Sequence, residues 1–261
     1  MKHYLAIALL LVSSWIHAAI REEAVDYKAG DTPLKGYIVW DDANSAKRPG
    51  ILVVHEWWGL NGYARLRAHK LAEMGYTAMA LDMYGEGKTT EHPNEASAFM
   101  QAALDDANAA RQRFEAARTL LAKHPTIDGN KIAAIGYCFG GATVLNMARQ
   151  GVDLKAVVSF HGNLATSTPA AKGSVKASIL VLNGADDGFV SPESIAAIDK
   201  EMKAAGAHYR FVNYPGAKHG FTNPDADRLG KANNMPIAYN AEADKQSWEA
   251  MKQLFTEVFR P

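Results

Sequence analysis

Between Lys131 and Leu145 the chain reads Lys-Ile-Ala-Ala-Ile-Gly-Tyr-Cys-Phe-Gly-Gly-Ala-Thr-Val-Leu, and few folds can house that stretch. Ile132 to Ile135 form an apolar run of the length of a buried parallel strand. Gly136, Gly140 and Gly141 then allow positive φ and close backbone approach, and a helical pattern follows. A strand driven through a glycine-flanked turn into a helix is a nucleophile elbow, here Gly-x-Cys-x-Gly with Cys138 at its apex. Such a turn presents a side chain above the end of a sheet and at a helix N-terminus, where the dipole and free N–H groups stabilise a thiolate. Cys138 is the single cysteine of the chain, so it forms no internal disulfide, and its glycine neighbours favour a reactive thiol over a packed one.

Elements of both kinds surround the elbow. Ala24 to Tyr27 and Leu34 to Trp40 read as an edge hairpin about the Ala29-Gly-Asp-Thr-Pro33 turn. Ile51 to His55 is a buried strand that runs into Glu56-Trp-Trp-Gly-Leu-Asn61. Tyr63 to Met74 has helical spacing with Gly75 as its stop, and Tyr76 to Asp82 is the next strand. Pro93 to Lys123 carries an apolar stripe through Phe99, Ala103, Ala107, Ala110, Phe114, Ala117 and Leu121, which predicts one kinked helix or two. After the elbow helix, which ends near Gly151, strands fall at Ala156 to Phe160 and Ile179 to Asn183. Ser191 caps a further helix, and Tyr209 to Tyr214 is the last strand. Residues 223–241 read as polar loop and Ala243 to Phe259 as a closing helix. Alternating strands and helices without an internal repeat, linker or composition break predict one α/β domain over residues 19–261, a mostly parallel doubly wound sheet with helices on both faces.

The bulk properties narrow the partners. A chain of 261 residues that is 48% apolar has ample material for one large core. The 28 basic and 28 acidic side chains balance, and no basic block is present, so nucleic acid is not an expected partner and a small molecule is. Met1 to Ala18 has the form of an export signal: Lys2 and His3, an apolar run from Tyr4 to Ile16, and small residues at Ala18 and Ala19. Cleavage after Ala18 would give an exported protein, periplasmic or secreted. The run is shorter than the roughly 20 residues of a spanning helix, so no stable membrane insertion is expected once the signal is removed.

Three groups follow one another at strand ends: Cys138, then Asp187 in Gly184-Ala-Asp-Asp-Gly-Phe-Val190, then His219 in Pro215-Gly-Ala-Lys-His-Gly-Phe221. Nucleophile, acid and base in that order are the chain order of an α/β-hydrolase triad. Sulfur attacks a carbonyl as thiolate, imidazole moves the proton, and the carboxylate orients the ring. Asp187 is preferred to the adjacent Asp186 by its spacing from Gly184 and Val190. The N–H groups of Phe139, next after the nucleophile, and of Trp57, at an earlier strand exit, are the candidate oxyanion hole. Glu56, a carboxylate ending an apolar strand beside two tryptophans, is placed to have a raised pKa. Tyr84, Lys88, Tyr137, Phe189 and Phe221 are weaker candidates for pocket walls, and His55 and His161 are read as structural.

In combination, Val54-His-Glu-Trp-Trp-Gly-Leu-Asn61, Leu81-Asp-Met-Tyr84, Gly136-Tyr-Cys-Phe-Gly-Gly141, Asp187-Gly-Phe-Val190 and His219-Gly-Phe221 resemble the dienelactone hydrolase family over nearly all of the chain beyond the leader. The resemblance implies an α/β-hydrolase fold, no metal or organic cofactor, and a Cys-Asp-His triad at Cys138, Asp187 and His219. It also implies that Glu56 pairs with the resting thiol and takes its proton when substrate displaces it. Family enzymes grip the substrate carboxylate with two arginines, and at the matching places this chain has only Lys88 and Asn223. Lysine is no equivalent of a bidentate guanidinium, which shifts the expected substrate from dienelactone to a less acidic ester or lactone. The leading expectation is a cofactor-free hydrolase of small esters or lactones through a thioester. The alternative is a redox-sensing or ligand-binding protein on the same fold, in which oxidants modify Cys138.

Overall fold

The computed structural model describes residues 20–260, and the leader expected over residues 1–18 lies outside them. An antiparallel hairpin, β1 (Ile20–Ala29) and β2 (Thr32–Asp41), is followed by alternating strands and helices: β3 (Arg48–Val54), α1 (Gly62–Glu73), β4 (Thr77–Leu81), α2 (Pro93–Leu104), α3 (Ala107–Ala122) and β5 (Ile127–Tyr137). Then come α4 (Phe139–Arg149), β6 (Ala156–Phe160), β7 (Ser178–Gly184), α5 (Pro192–Ala205), β8 (Tyr209–Tyr214), α6 (Ala226–Asn233) and α7 (Ala241–Val258). All eight strands form one sheet in the order β1-β2-β4-β3-β5-β6-β7-β8. Pairing is antiparallel where β2 meets β1 and β4, and parallel from β4 through β8.

Strand alternation divides the core into two layers. Leu52 and Val54 of β3, with Met79 and Leu81 of β4, face Phe114 and Leu121 of α3, Val144 and Met147 of α4 and Ile198 and Met202 of α5. Ile51 and Val53, with Ala78 and Ala80, face Ala64, Ala68 and Leu71 of α1 and Met251, Leu254 and Phe255 of α7. The period of two sends successive residues to opposite faces, and because both faces are covered the central strands read as unbroken apolar runs.

Of the two alternatives for the Pro93 to Lys123 stretch the structure has the second, and one loop reading is corrected. The Pro93 to Lys123 stretch is two helices, because Asp106 leaves helical geometry and its side chain accepts from Asn108 N–H at 2.8 Å and Ala109 N–H at 3.1 Å, capping α3. The supposed polar loop 223–241 contains α6, an eight-residue helix with Ala226, Leu229 and Gly230 buried. Parallel register then brings the strand exits together: Val54 lies opposite Gly136, and Tyr137 opposite Phe160.

Candidate active site

At the end of β5 the backbone turns within one residue. Cys138 adopts φ 54° and ψ −115°, a strained conformation for a residue with a Cβ, and α4 starts at the next residue. The flanking glycines make the turn possible. A Cβ on Gly136 would stand 2.1 Å from the Gly140 carbonyl oxygen, and one on Gly140 would stand 2.3 Å from that of Val54. The Cys138 N–H is held by the Phe160 carbonyl at 3.0 Å and by His161 Nδ1 at 3.1 Å. Cys138 itself is only partly buried and faces a cavity of about 410 Å³.

His219 borders the same cavity. Its Nδ1 lies 2.9 Å from Asp187 Oδ2, while Asp187 Oδ1 accepts from the Phe189 N–H at 2.9 Å. Both carboxylate oxygens are thereby fixed, and the ring is held with Nδ1–H toward the acid. Asp186 is exposed on the same loop and has no part in this contact. Burial works to lower the His219 pKa, but charge on the Cys138 sulfur and hydrogen bonds with Asp187 and Cys138 outweigh it and carry the value up to about 10.

Glu56 lines this cavity as well and is 4% exposed. Burial raises its carboxyl to about 7 against the opposing pull of the Asn223 hydrogen bond and the His219 and Arg67 charges. Asn223 Nδ2 donates to Glu56 Oε2 at 2.6 Å, and Asn223 Oδ1 accepts from the Asp225 N–H at 2.9 Å. Neither the Phe139 nor the Trp57 N–H has an acceptor among the described residues, and both residues line the cavity.

Four of the weaker sequence candidates do not reach the cavity. Tyr84 is a buttress: its hydroxyl donates to the Trp57 carbonyl at 3.0 Å and its ring packs on His55 and Phe139. Lys88 extends to Glu86 at 3.6 Å. Tyr137, one residue before the apex, points to the opposite side of the sheet and stacks on Phe160 at 4.7 Å. Phe221 is fully buried against His161 and Tyr214. Phe189 does line the cavity, its ring edge-to-face with His219 at 5.0 Å.

The two other histidines differ from one another. His55 Nε2 accepts from the Met83 N–H at 3.2 Å, so its Nδ1 carries the proton to the Glu56 carbonyl at 2.6 Å, and the ring is a brace between loops. His161 sits under Cys138. Because its Nδ1 accepts from Cys138, the proton is on Nε2, which lies 2.8 Å from Thr222 Oγ1. Burial, with the charges of His219 and Arg67, holds its pKa well below the usual histidine range. Thr222 continues to Tyr63 OH at 2.6 Å, and the buried Arg67 donates to Tyr63 at 3.1 Å, to the Thr222 carbonyl and to Asp244 at 2.6 Å. Nothing in the local sequence of His161 announces its contact with the elbow, which is made 23 residues away.

Comparison with known proteins gives the family. Residues 34–259 match the model of the dienelactone hydrolase family. A solved dienelactone hydrolase-like promiscuous phosphotriesterase from metagenomic libraries superposes with a TM-score of 0.86 at 38% identity, covering 93% of this chain and 100% of that one. A putative carboxymethylenebutenolidase of Yersinia pestis is 27% identical over 86% of this chain and 84% of its own length. An uncharacterized protein of Caenorhabditis elegans is 34% identical over 57% of this chain and 94% of its own. With the family model spanning the strands, the elbow and the His219 loop alike, the chain belongs to the dienelactone hydrolase family and is a hydrolase.

Proposed function

We propose that the protein is a hydrolase of small carboxylic esters or lactones that works through a thioester on Cys138. The observation that carries this reading is an elbow cysteine facing the same cavity as an imidazole pinned at 2.9 Å to a buried carboxylate. The thiolate of Cys138 attacks the acyl carbon, a C–S bond forms, and the carbonyl electron pair moves onto oxygen. The Phe139 and Trp57 N–H groups stabilise that oxyanion; losing one such donor typically costs about 10²–10³ in rate. Collapse breaks the C–O bond and His219 gives its proton to the departing alkoxide. Water, losing a proton to His219, then attacks the thioester and releases the acid and the thiolate. Glu56, raised to about 7, takes the proton that the resting thiol gives up when substrate enters. Both neighbours with substrate-bearing names support the class: the Yersinia relative is named for a lactone-opening activity, and the phosphotriesterase for a neutral ester of phosphorus. The leader composition supports an exported protein, periplasmic or secreted.

The test is an aryl ester and lactone panel with Cys138→Ala beside the native protein. A rapid burst of phenol, an acyl mass adduct on Cys138 and loss of turnover in the alanine variant are expected. Retained turnover in that variant would remove the nucleophile assignment, and peroxide-sensitive modification of Cys138 without turnover would favour the redox alternative. Neutral aryl phosphotriesters form the second class in the panel.

A further inference from the structure

The cavity walls bear on which esters reach the sulfur, an inference that rests on Cys138 being the nucleophile. Among the residues lining it, the ionisable side chains are Glu56, Cys138 and His219, and no lysine or arginine faces the space. Neighbouring guanidinium groups are committed elsewhere, Arg67 to Asp244 and Arg149 to Glu201. Asn223 spends its amide N–H on Glu56. A substrate carboxylate entering here would lose water, meet no lysine or arginine, find the one cationic ring of the wall, His219, already paired with Asp187, and face a second carboxyl. Apolar surface dominates instead. Met100 and Leu104 line one side, Met235 and Ile237 another, and Leu104 and Phe189 remain 44% and 51% exposed.

Two amides in this wall have an unused donor of known direction: Asn163, exposed, whose oxygen accepts from the Ala165 N–H at 3.0 Å, and Asn146, which is partly buried on α4. Arg149 is clamped by Glu201, Nε to Oε1 at 2.9 Å and Nη2 to Oε2 at 3.0 Å, and its Nη2 also donates to the Leu164 carbonyl at 2.9 Å. Its Nη1 donates to Asn146 Oδ1 at 2.9 Å. A guanidinium can only donate, so the amide oxygen of Asn146 faces Arg149 and the NH₂ group is turned away from it. That NH₂ has no acceptor among the described residues, and Asn146 borders the cavity on the same helix that begins at Phe139. Along α4 the rise of about 1.5 Å per residue puts Asn146 roughly 10 Å from the oxyanion donor, and helical side chains lean back toward the N-terminus, which shortens the reach. A chain of roughly six to eight bonds spans it.

We propose that the site prefers uncharged esters whose apolar acyl arm runs along α4 and ends in a neutral oxygen that accepts a hydrogen bond from Asn146. His219 must protonate the departing alkoxide, which leaves the alcohol arm on the imidazole side beside Phe189 and the acyl arm toward α4.

Three p-nitrophenyl esters with eight-carbon acyl chains test this at pH 8: the octanoate, the methyl suberate and the hydrogen suberate. The methyl suberate is expected to exceed the octanoate in kcat/KM by roughly two- to tenfold, the worth of one neutral hydrogen bond. The hydrogen suberate, an anion, is expected to fall on the order of a hundredfold below both. Asn146→Leu should bring the ratio of methyl suberate to octanoate to about one. Asn146→Asp keeps an acceptor for Arg149 while removing the donor, and should give the same ratio even where the leucine variant folds poorly. Equal rates for octanoate and methyl suberate in the native protein, or an unchanged ratio in Asn146→Asp, would overturn the role of Asn146. Hydrogen suberate turned over as fast as the octanoate would overturn the charge preference. Failure of Cys138 to acylate with any of the three esters would instead sink the nucleophile reading beneath both.

Discussion

Replacing His161 probes Cys138, the proposed nucleophile, without substituting it. The Cys138 backbone occupies a region that costs a residue with a Cβ on the order of 1–3 kcal/mol, and it stays there because its N–H is held by the Phe160 carbonyl at 3.0 Å and His161 Nδ1 at 3.1 Å. His161→Leu removes one of those acceptors and leaves the other, so the N–H is weakened rather than orphaned. One neutral hydrogen bond contributes about 0.5–1.5 kcal/mol, which at 1.4 kcal/mol per decade corresponds to roughly a two- to tenfold loss of the competent elbow. The assay is the rate of Cys138 alkylation by iodoacetamide, followed by intact mass, beside kcat and KM for an aryl ester. Alkylation rate and kcat should fall together by that factor while KM holds. In His161→Asn the amide oxygen can stand where Nδ1 stood and accept the same N–H, so this variant should recover most of the loss. A leucine variant that alkylates and turns over like the native protein would refute the reasoning, as would an asparagine variant that falls just as far.

Two further outcomes follow from the buried charges. Glu56 keeps a proton in the folded chain up to about pH 7 that the unfolded chain releases near 4.5, so its contribution to stability falls as pH rises through that window. At roughly 1.4 kcal/mol per pH decade the loss is about 3 kcal/mol. Glu56→Gln cannot titrate, so urea unfolding should show the variant gaining on the native protein between pH 5 and pH 8; parallel curves would contradict the raised carboxyl. Arg67→Met leaves Asp244 buried without its partner at 2.6 Å and is expected to cost about 3–5 kcal/mol in urea unfolding. Adding Asp244→Asn should return part of that cost, and strict additivity of the two changes would argue against a coupled pair.

The fold was legible where backbone sterics or strand alternation write themselves into residue choice. Gly136 and Gly140 can carry no side chain, because their Cβ positions fall on the carbonyl oxygens of Gly140 and Val54, so the elbow appears in the letters. The order of Cys138, Asp187 and His219 was readable for the same reason: each stands at a strand exit, and parallel register aligns the exits. The break at Asp106 was only half legible, since the apolar stripe continues in phase across it and the cap depends on a backbone turn. The helix α6 escaped because eight residues with a glycine among them, Ala226 to Asn233, carry too few apolar positions to mark a period. Aromatic residues beside the motif misled for a geometric reason. Tyr137 precedes Cys138 by one residue, and alternation along β5 sends it to the layer of α1 and α7.

The site departs from its sequence reading most at Asn223, which there is only a missing arginine. In the structure the amide has both ends employed, its oxygen on the Asp225 N–H and its nitrogen on Glu56. A neutral donor favours the ionised carboxyl far less than a guanidinium at hydrogen-bonding distance would. Burial therefore wins, and Glu56 rests near neutrality at about 7, able to hold or release a proton in the range where His219, carried up to about 10, remains charged. An amide rather than a cation at this position thus has two consequences from one cause. It withdraws the counter-charge that an anionic substrate would need, and it frees the carboxyl in the Cys138 cavity to exchange a proton close to neutral pH.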